Sequence, residues 1–130
     1  VTVMQSKPSS LLVVADDPEI RRLLKEYLQK SEFRVEVAAD GVQMFAALDQ
    51  RPFDLIVLDL MMPGKNGFEV LEILRASERN ANVPVYFLTA MANPQESEGA
   101  HVVDVLGYLR KPFDPFKFAT TVELALESAG

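Results

Sequence analysis

The sequence predicts an α/β domain in which a doubly wound, five-stranded parallel sheet is covered by five helices. Three observations carry that prediction. Leu11 to Ala15 and Leu55 to Leu58 are short unbroken apolar runs, the pattern of strands buried on both faces. Between them, Ile20, Leu23, Leu24, Tyr27 and Leu28 recur at helical spacing and define one apolar helix face. Strand-like and helix-like stretches alternate along the chain, and no internal repeat or low-complexity tract competes with that order.

The 130 residues, 48% of them hydrophobic, suit one domain with one packed core. Cysteine is absent, which removes disulfides and thiol-based metal or nucleophile chemistry and makes a cytoplasmic address the expectation. No apolar run reaches the roughly 20 residues that span a bilayer, and the N-terminus lacks a signal-peptide pattern, so no membrane role is expected. A net charge of −6 argues against direct nucleic-acid binding, which needs a clustered basic face. An acidic site that attracts a cation is the more natural use of such a surface.

Val1 to Ser10 reads as a flexible lead-in, with the domain over 11–130. The first strand, Leu11 to Ala15, ends in Asp16-Asp17-Pro18, where Asp17 suits a helix N-cap and Pro18 the first helical position. The helix that follows keeps Arg21, Arg22, Lys25 and Glu26 outside. Arg34 to Ala38 is the second strand, Asp40-Gly41 a break, and Val42 to Gln50 a second helix stopped by Arg51-Pro52. The third strand is the apolar run that ends at Asp59. After the Pro63-Gly64 turn, Asn66 caps a third helix with Glu69 three residues on, and Val70, Leu71 and Leu74 form its buried side. Val85 to Leu88 is a fourth strand ending at Thr89. Residues 93–105 form a short helix weakened by Gly99 and by the β-branched Val102, Val103 and Val105. Gly107 to Arg110 is the fifth strand, and Asp114-Pro115 starts a last helix with Phe118, Val122, Ala125 and Leu126 on one face.

Four strands thus end in polar residues on one sheet edge: Asp16 and Asp17, Asp59, Thr89, and Lys111. Singly, each has a structural explanation, Asp17 as a helix cap, Thr89 as a strand residue, Lys111 as a solvated charge. Jointly they point to a site, because ligands of open α/β sheets collect at the carboxyl ends of the strands. Carboxylates gathered there would repel by about 4 kcal/mol per close pair at an effective dielectric of 20, and a divalent cation would relieve the repulsion. All-oxygen ligands suit Mg²⁺ or Mn²⁺. A hydroxyl at Thr89 and an ammonium at Lys111 complement a phosphoryl group in transfer, with Asp59 as nucleophile.

The segments VVADDPEIRRLL at Val13 to Leu24, IVLDLMMPGKNGFEVL at Ile56 to Leu71, VYFLTA at Val85 to Ala90 and GYLRKPF at Gly107 to Phe113 resemble the receiver domain of two-component response regulators. The resemblance covers the chain from Leu11 onward and implies a flavodoxin-like (βα)5 fold with strand order 2-1-3-4-5. It further implies that Asp59 is the phosphoacceptor for a phosphohistidine on a sensor histidine kinase or a histidine phosphotransfer protein. Mg²⁺, with Mn²⁺ as a substitute, would be ligated by Asp17, Asp59 and the backbone carbonyl of Met61, and by Asp16 through water. Lys111 would pair with the phosphoryl group, and its bond to Pro112 is expected to be cis. Thr89 and Tyr108 would form a switch that alters the face built from the fourth helix, fifth strand and fifth helix. That face would be read by a downstream output domain or protein, or by a second copy in a dimer. A phosphorylation-independent interaction module of the same fold is the alternative, and retention of Asp59, Thr89 and Lys111 together speaks against it. A flavodoxin-like FMN protein is disfavoured because Asp16-Asp17-Pro18 has the wrong charge for a phosphate loop.

Overall fold

The computed structural model describes residues 8–62, 64–90 and 105–129. Among them the order is β1 (Ser10–Val14), α1 (Pro18–Lys30), β2 (Arg34–Ala38), α2 (Gly41–Gln50), β3 (Leu55–Asp59), β4 (Met61–Met62), β5 (Lys65–Asn66), α3 (Gly67–Arg75), β6 (Val85–Thr89), β7 (Gly107–Arg110) and α4 (Pro115–Ala129). The long strands form one parallel sheet ordered β2-β1-β3-β6-β7, and β4 and β5 pair as a separate antiparallel ribbon. Setting the ribbon aside, this is the expected 2-1-3-4-5. Four helices lie among the described residues; the fifth, expected over 93–105, falls outside them except for Val105, which is not helical.

The central strands explain the apolar runs. Leu11, Val13, Leu55, Val57 and Leu88 point to one face of the sheet, where Leu24 and Leu28 of α1 and Phe118, Ala119 and Val122 of α4 cover them. Leu12, Val14, Ile56, Leu58, Val85 and Phe87 point to the other, under Met44 and Leu48 of α2 and Val70, Leu71 and Leu74 of α3. Each such side chain withdrawn from water contributes about 2 kcal/mol, so a strand covered on both sides has no polar alternate positions. Edge strands β2 and β7 are only half-buried, as their mixed sequences require. No helix among the described residues is long and apolar enough to cross a membrane.

Three details differ from the sequence reading. Strand β1 starts at Ser10, inside the expected lead-in, because Ser10 pairs in register with Arg34 of β2; its N–H also donates to the Asp54 carboxylate at 2.7 Å. Helix α2 begins at Gly41 because Asp40 is its N-cap, accepting from Gln43 N at 2.8 Å. Arg21 is not outside with Arg22: it is half-buried, and its Nη1 donates to the Ala15 carbonyl at 2.7 Å. The other predicted starts hold, with Asp17 capping α1 and Asn66 and Glu69 forming a reciprocal capping box on α3.

Candidate functional site

Asp59 is the last residue of β3, and its side chain is wholly buried. The chain beyond it doubles back to enclose that end. Leu60 N continues the ladder to Leu88 O at 2.8 Å, the β4–β5 ribbon reverses direction, and Gly67 N returns to Leu60 O at 2.6 Å. This return is possible only at a glycine. A Cβ on Gly67 would stand 2.8 Å from Leu60 Cα and 3.0 Å from the Asp59 carbonyl oxygen, closer than side chains approach backbone.

The enclosure gives each carboxylate oxygen of Asp59 one donor. Met61 N–H donates to Oδ1 at 3.0 Å, and Lys111 Nζ donates to Oδ2 at 3.3 Å. Burial dominates the ionisation of this group and pushes its pKa above the ordinary value; the Met61 N–H and the Lys111 charge pull it back in part, and the Asp16 charge pushes it up again. Asp59 is therefore less willing to carry charge than a solvated aspartate, and a cation added beside it would reverse that.

Lys111 follows β7, and its N–H donates to Thr89 O at 2.7 Å, which ties the ends of β6 and β7 together. The Lys111–Pro112 peptide is cis, as expected. Thr89 ends β6 and is fully buried. Tyr108 is half-buried opposite Phe87 in register, with the two ring centroids 5.6 Å apart. Thr89 and Phe87 alternate to the same face of β6, so Thr89 and Tyr108 share one side of the sheet. Burial raises the Tyr108 phenol above its ordinary pKa.

The expected acidic cluster is only partly assembled. Asp16 and Asp17 are both exposed, and of the two only Asp16 acts on Asp59. Asp17 Oδ1 accepts from Glu19 N at 2.9 Å as the cap of α1. Among the described residues no three acidic, histidine or cysteine side chains are gathered closely enough to hold a metal ion. The two carboxylates whose charges interact here, Asp59 and Asp16, are hard oxygen ligands of the kind that fit Mg²⁺. Sequence reasoning missed Gly67 and Arg21. A glycine directly after a capping asparagine was the available signal for the first; the second had none, since Arg21 and Arg22 look alike in sequence.

Residues 11–123 match the family model of the response regulator receiver domain. A probable transcriptional regulator, ycf29 of Porphyra purpurea, is 34% identical over 88% of this chain, and the match covers 54% of that protein. The chain thus spans about half the length of the curated relatives it matches. Among solved structures, the chemotaxis response regulator CheY4 of Vibrio cholerae superposes with a TM-score of 0.82 at 29% identity, covering 92% of this chain and 98% of that one. The receiver domain of the sensor histidine kinase PA1611 from Pseudomonas aeruginosa PAO1 superposes with a TM-score of 0.81 at 26% identity, covering 92% and 98%; it carries a magnesium ion coordinated in its active site cleft.

Proposed function

The chain belongs to the response regulator receiver family, the signalling domains of two-component systems, and from that premise we propose that Asp59 is its phosphoacceptor. The observation that carries this is a wholly buried carboxylate at a strand end with Met61 N–H at 3.0 Å on one oxygen and Lys111 Nζ at 3.3 Å on the other. In the proposed step an Asp59 oxygen attacks the phosphorus of a phosphohistidine, the P–N bond breaks, the electron pair leaves with the imidazole, and an acyl phosphate forms. Mg²⁺, or Mn²⁺ in its place, would be held by Asp59, Asp16 and the Met61 carbonyl and would supply positive charge to the phosphoryl oxygens. Lys111 holds the attacking carboxylate in place and then faces the added dianion, and the Thr89 hydroxyl donates to a phosphoryl oxygen.

Loss of that hydroxyl from its resting position would let the Tyr108 ring move on the shared face of the sheet, which couples the site to β7 and α4. The donor is a sensor histidine kinase or histidine phosphotransfer protein, and the reader is an output domain or protein, or a second copy docked on the face containing β7 and α4. With a net charge of −6 the domain itself leaves DNA contact to an attached or separate partner, and it works in the cytoplasm. It acts as a signalling switch whose only chemistry is on its own Asp59.

The test is the intact mass of the wild type, Asp59→Asn, and the wild type with EDTA, each after incubation with acetyl phosphate and Mg²⁺. One phosphoryl adduct on the wild type and none on the other two is expected. An adduct of equal yield on Asp59→Asn would overturn the assignment, and no adduct on any sample would favour a phosphorylation-independent module.

A further inference from the structure

Tyr86 and Phe87 are neighbours on β6 and serve opposite faces of the sheet. Tyr86 meets the Phe118 ring of α4, with centroids 5.3 Å apart and planes at 85°. On the other face the contact runs further. Phe87 meets Phe68 of α3 at 5.2 Å and 74°, and Tyr108 of β7 at 5.6 Å and 31°, so three rings form a row across the sheet. Its centre, Phe87, is fully buried, and both ends are half-buried.

One end of the row lies where the chain closes over Asp59. Gly67, the residue before Phe68, donates to Leu60 O at 2.6 Å, and a Cβ placed on it would stand 3.0 Å from Phe87 Cε1. The Phe87 ring thus fills the space beside Gly67 that a side chain would take. At the other end Tyr108 sits on an edge strand, directly opposite Phe87 in register. Close-packed rings leave no slack and hold defined mutual angles, so displacement of one is felt by the next.

We infer that Phe87 is a positioning residue that couples the closure over Asp59 to Tyr108, so that the state of the site reaches β7 through the row Phe68, Phe87 and Tyr108 as well as through the Thr89 hydroxyl. The inference rests on the phosphoacceptor reading and adds a second route to it. A phosphoryl group added to Asp59 changes the carboxylate that holds the Met61 N–H, and Met61 pairs with Asn66 in the ribbon that leads into Gly67. Movement of Gly67 acts on the ring packed beside it. Of that ring's two aromatic neighbours, Phe68 follows Gly67 in the same helix turn and travels with it, so the relative displacement falls on Tyr108.

The experiment labels the full chain with fluorotyrosine, assigns Tyr108 by Tyr108→Phe, and reads its fluorine NMR shift before and after saturation with beryllofluoride and Mg²⁺, a stable stand-in for the phosphoryl group. Adduct yield with acetyl phosphate is measured on the same proteins. Phe87→Leu is expected to keep its adduct yield and to lose about half or more of the shift change at Tyr108. Phe68→Leu, at a half-buried position that tolerates truncation better, is expected to lose less, in the same direction. Phe118→Leu, from the pair on the opposite face, is expected to respond as the wild type does. A full shift change in Phe87→Leu, or in Phe68→Leu should Phe87→Leu not fold, would overturn the inference and leave Asp59 as acceptor. An equal loss in Phe118→Leu, a Phe87→Leu that loses adduct and shift together, or a wild type that gains the adduct with no change at Tyr108 would overturn it too. A wild type that gains neither adduct nor beryllofluoride response would remove the phosphoacceptor reading itself.

Discussion

Two neighbouring strands of the sheet, β1 and β3, both run into aspartate at the same edge, and their ends are built in opposite ways. After β3 the chain folds back through the β4–β5 ribbon and presses Gly67 against Leu60, so Asp59 is wholly buried. After β1 it passes straight into α1, and Asp16 and Asp17 stay exposed. Enclosure sets the two ends apart: it raises the pKa of Asp59 and fixes both of its oxygens, whereas the exposed pair serve as a cap and as a solvated charge. An acid at a strand's carboxyl end is buried and held through the loop that closes over it.

The largest effect is expected from removing the enclosed charge. Asp59 has a folded pKa raised above 3.8, so its contribution to stability is fully present below 3.8 and is lost as the pH rises through the folded value. Asp59→Asn is expected to abolish that dependence and, on the proposed function, the phosphoryl adduct as well. Lys111, whose side chain is 28% exposed, remains hydrated when its partner is neutral. Denaturant titrations from acidic to neutral pH are expected to show the variant gaining on the wild type as the pH rises. A constant difference across that range would mean that burial does not set the ionisation of Asp59.

The next effect attacks the closure. Gly67 is the first residue of α3, where alanine would ordinarily be favoured by up to about 1 kcal/mol on propensity alone. Here the added carbon meets Leu60 Cα at 2.8 Å, and backbone cannot move aside as a flexible side chain can. Overpacking of this kind costs about 1–3 kcal/mol, so Gly67→Ala is expected to be destabilising despite its better propensity. Urea denaturation checks the sign, and a slower adduct formation would show that the Met61 N–H has shifted from Asp59. A more stable Gly67→Ala would mean that the β3 end is looser than its geometry implies.

Much of this was legible in sequence for identifiable reasons. The buried strands announced themselves because a sheet covered on both faces leaves no polar positions, as in LIVL before Asp59. The caps Asp17, Asn66 and Asp114 were readable because capping is local chemistry between residues two or three apart. What stayed hidden depends on contacts distant in the chain or on orientation. Ser10 joins β1 by pairing with Arg34 of β2, supported by its bond to Asp54, and no local pattern signals those partners. Asp17 was expected as a direct ligand and Asp16 as one acting through water, yet Asp17 caps α1 and Asp16 is the one whose charge acts on Asp59, because the sequence does not say which of two adjacent carboxylates turns to the helix. The close approach of Gly67 to Leu60 and Asp59 depends on the ribbon between them, which no local pattern announces.

The smallest effect sharpens the comparison at the open end. Lacking a closing ribbon, the β1 end is held from the side by Arg21, whose guanidinium donates to the Ala15 carbonyl at 2.7 Å from a half-buried position. Its neighbour Arg22 faces solvent and pairs with Glu19 at 2.8 Å and Glu26 at 3.3 Å along the helix. A hydrogen bond from a charged donor to a buried carbonyl contributes about 1 kcal/mol or slightly more, whereas solvent-exposed ion pairs are screened. Arg21→Met, which keeps the apolar stem and deletes the donor, is therefore expected to lose about 1 kcal/mol in urea denaturation. Arg22→Met is expected to lose less, and its loss should shrink further in salt while that of Arg21→Met persists. Equal losses would mean that the β1 end needs no support from α1, and that its openness comes from the strand itself.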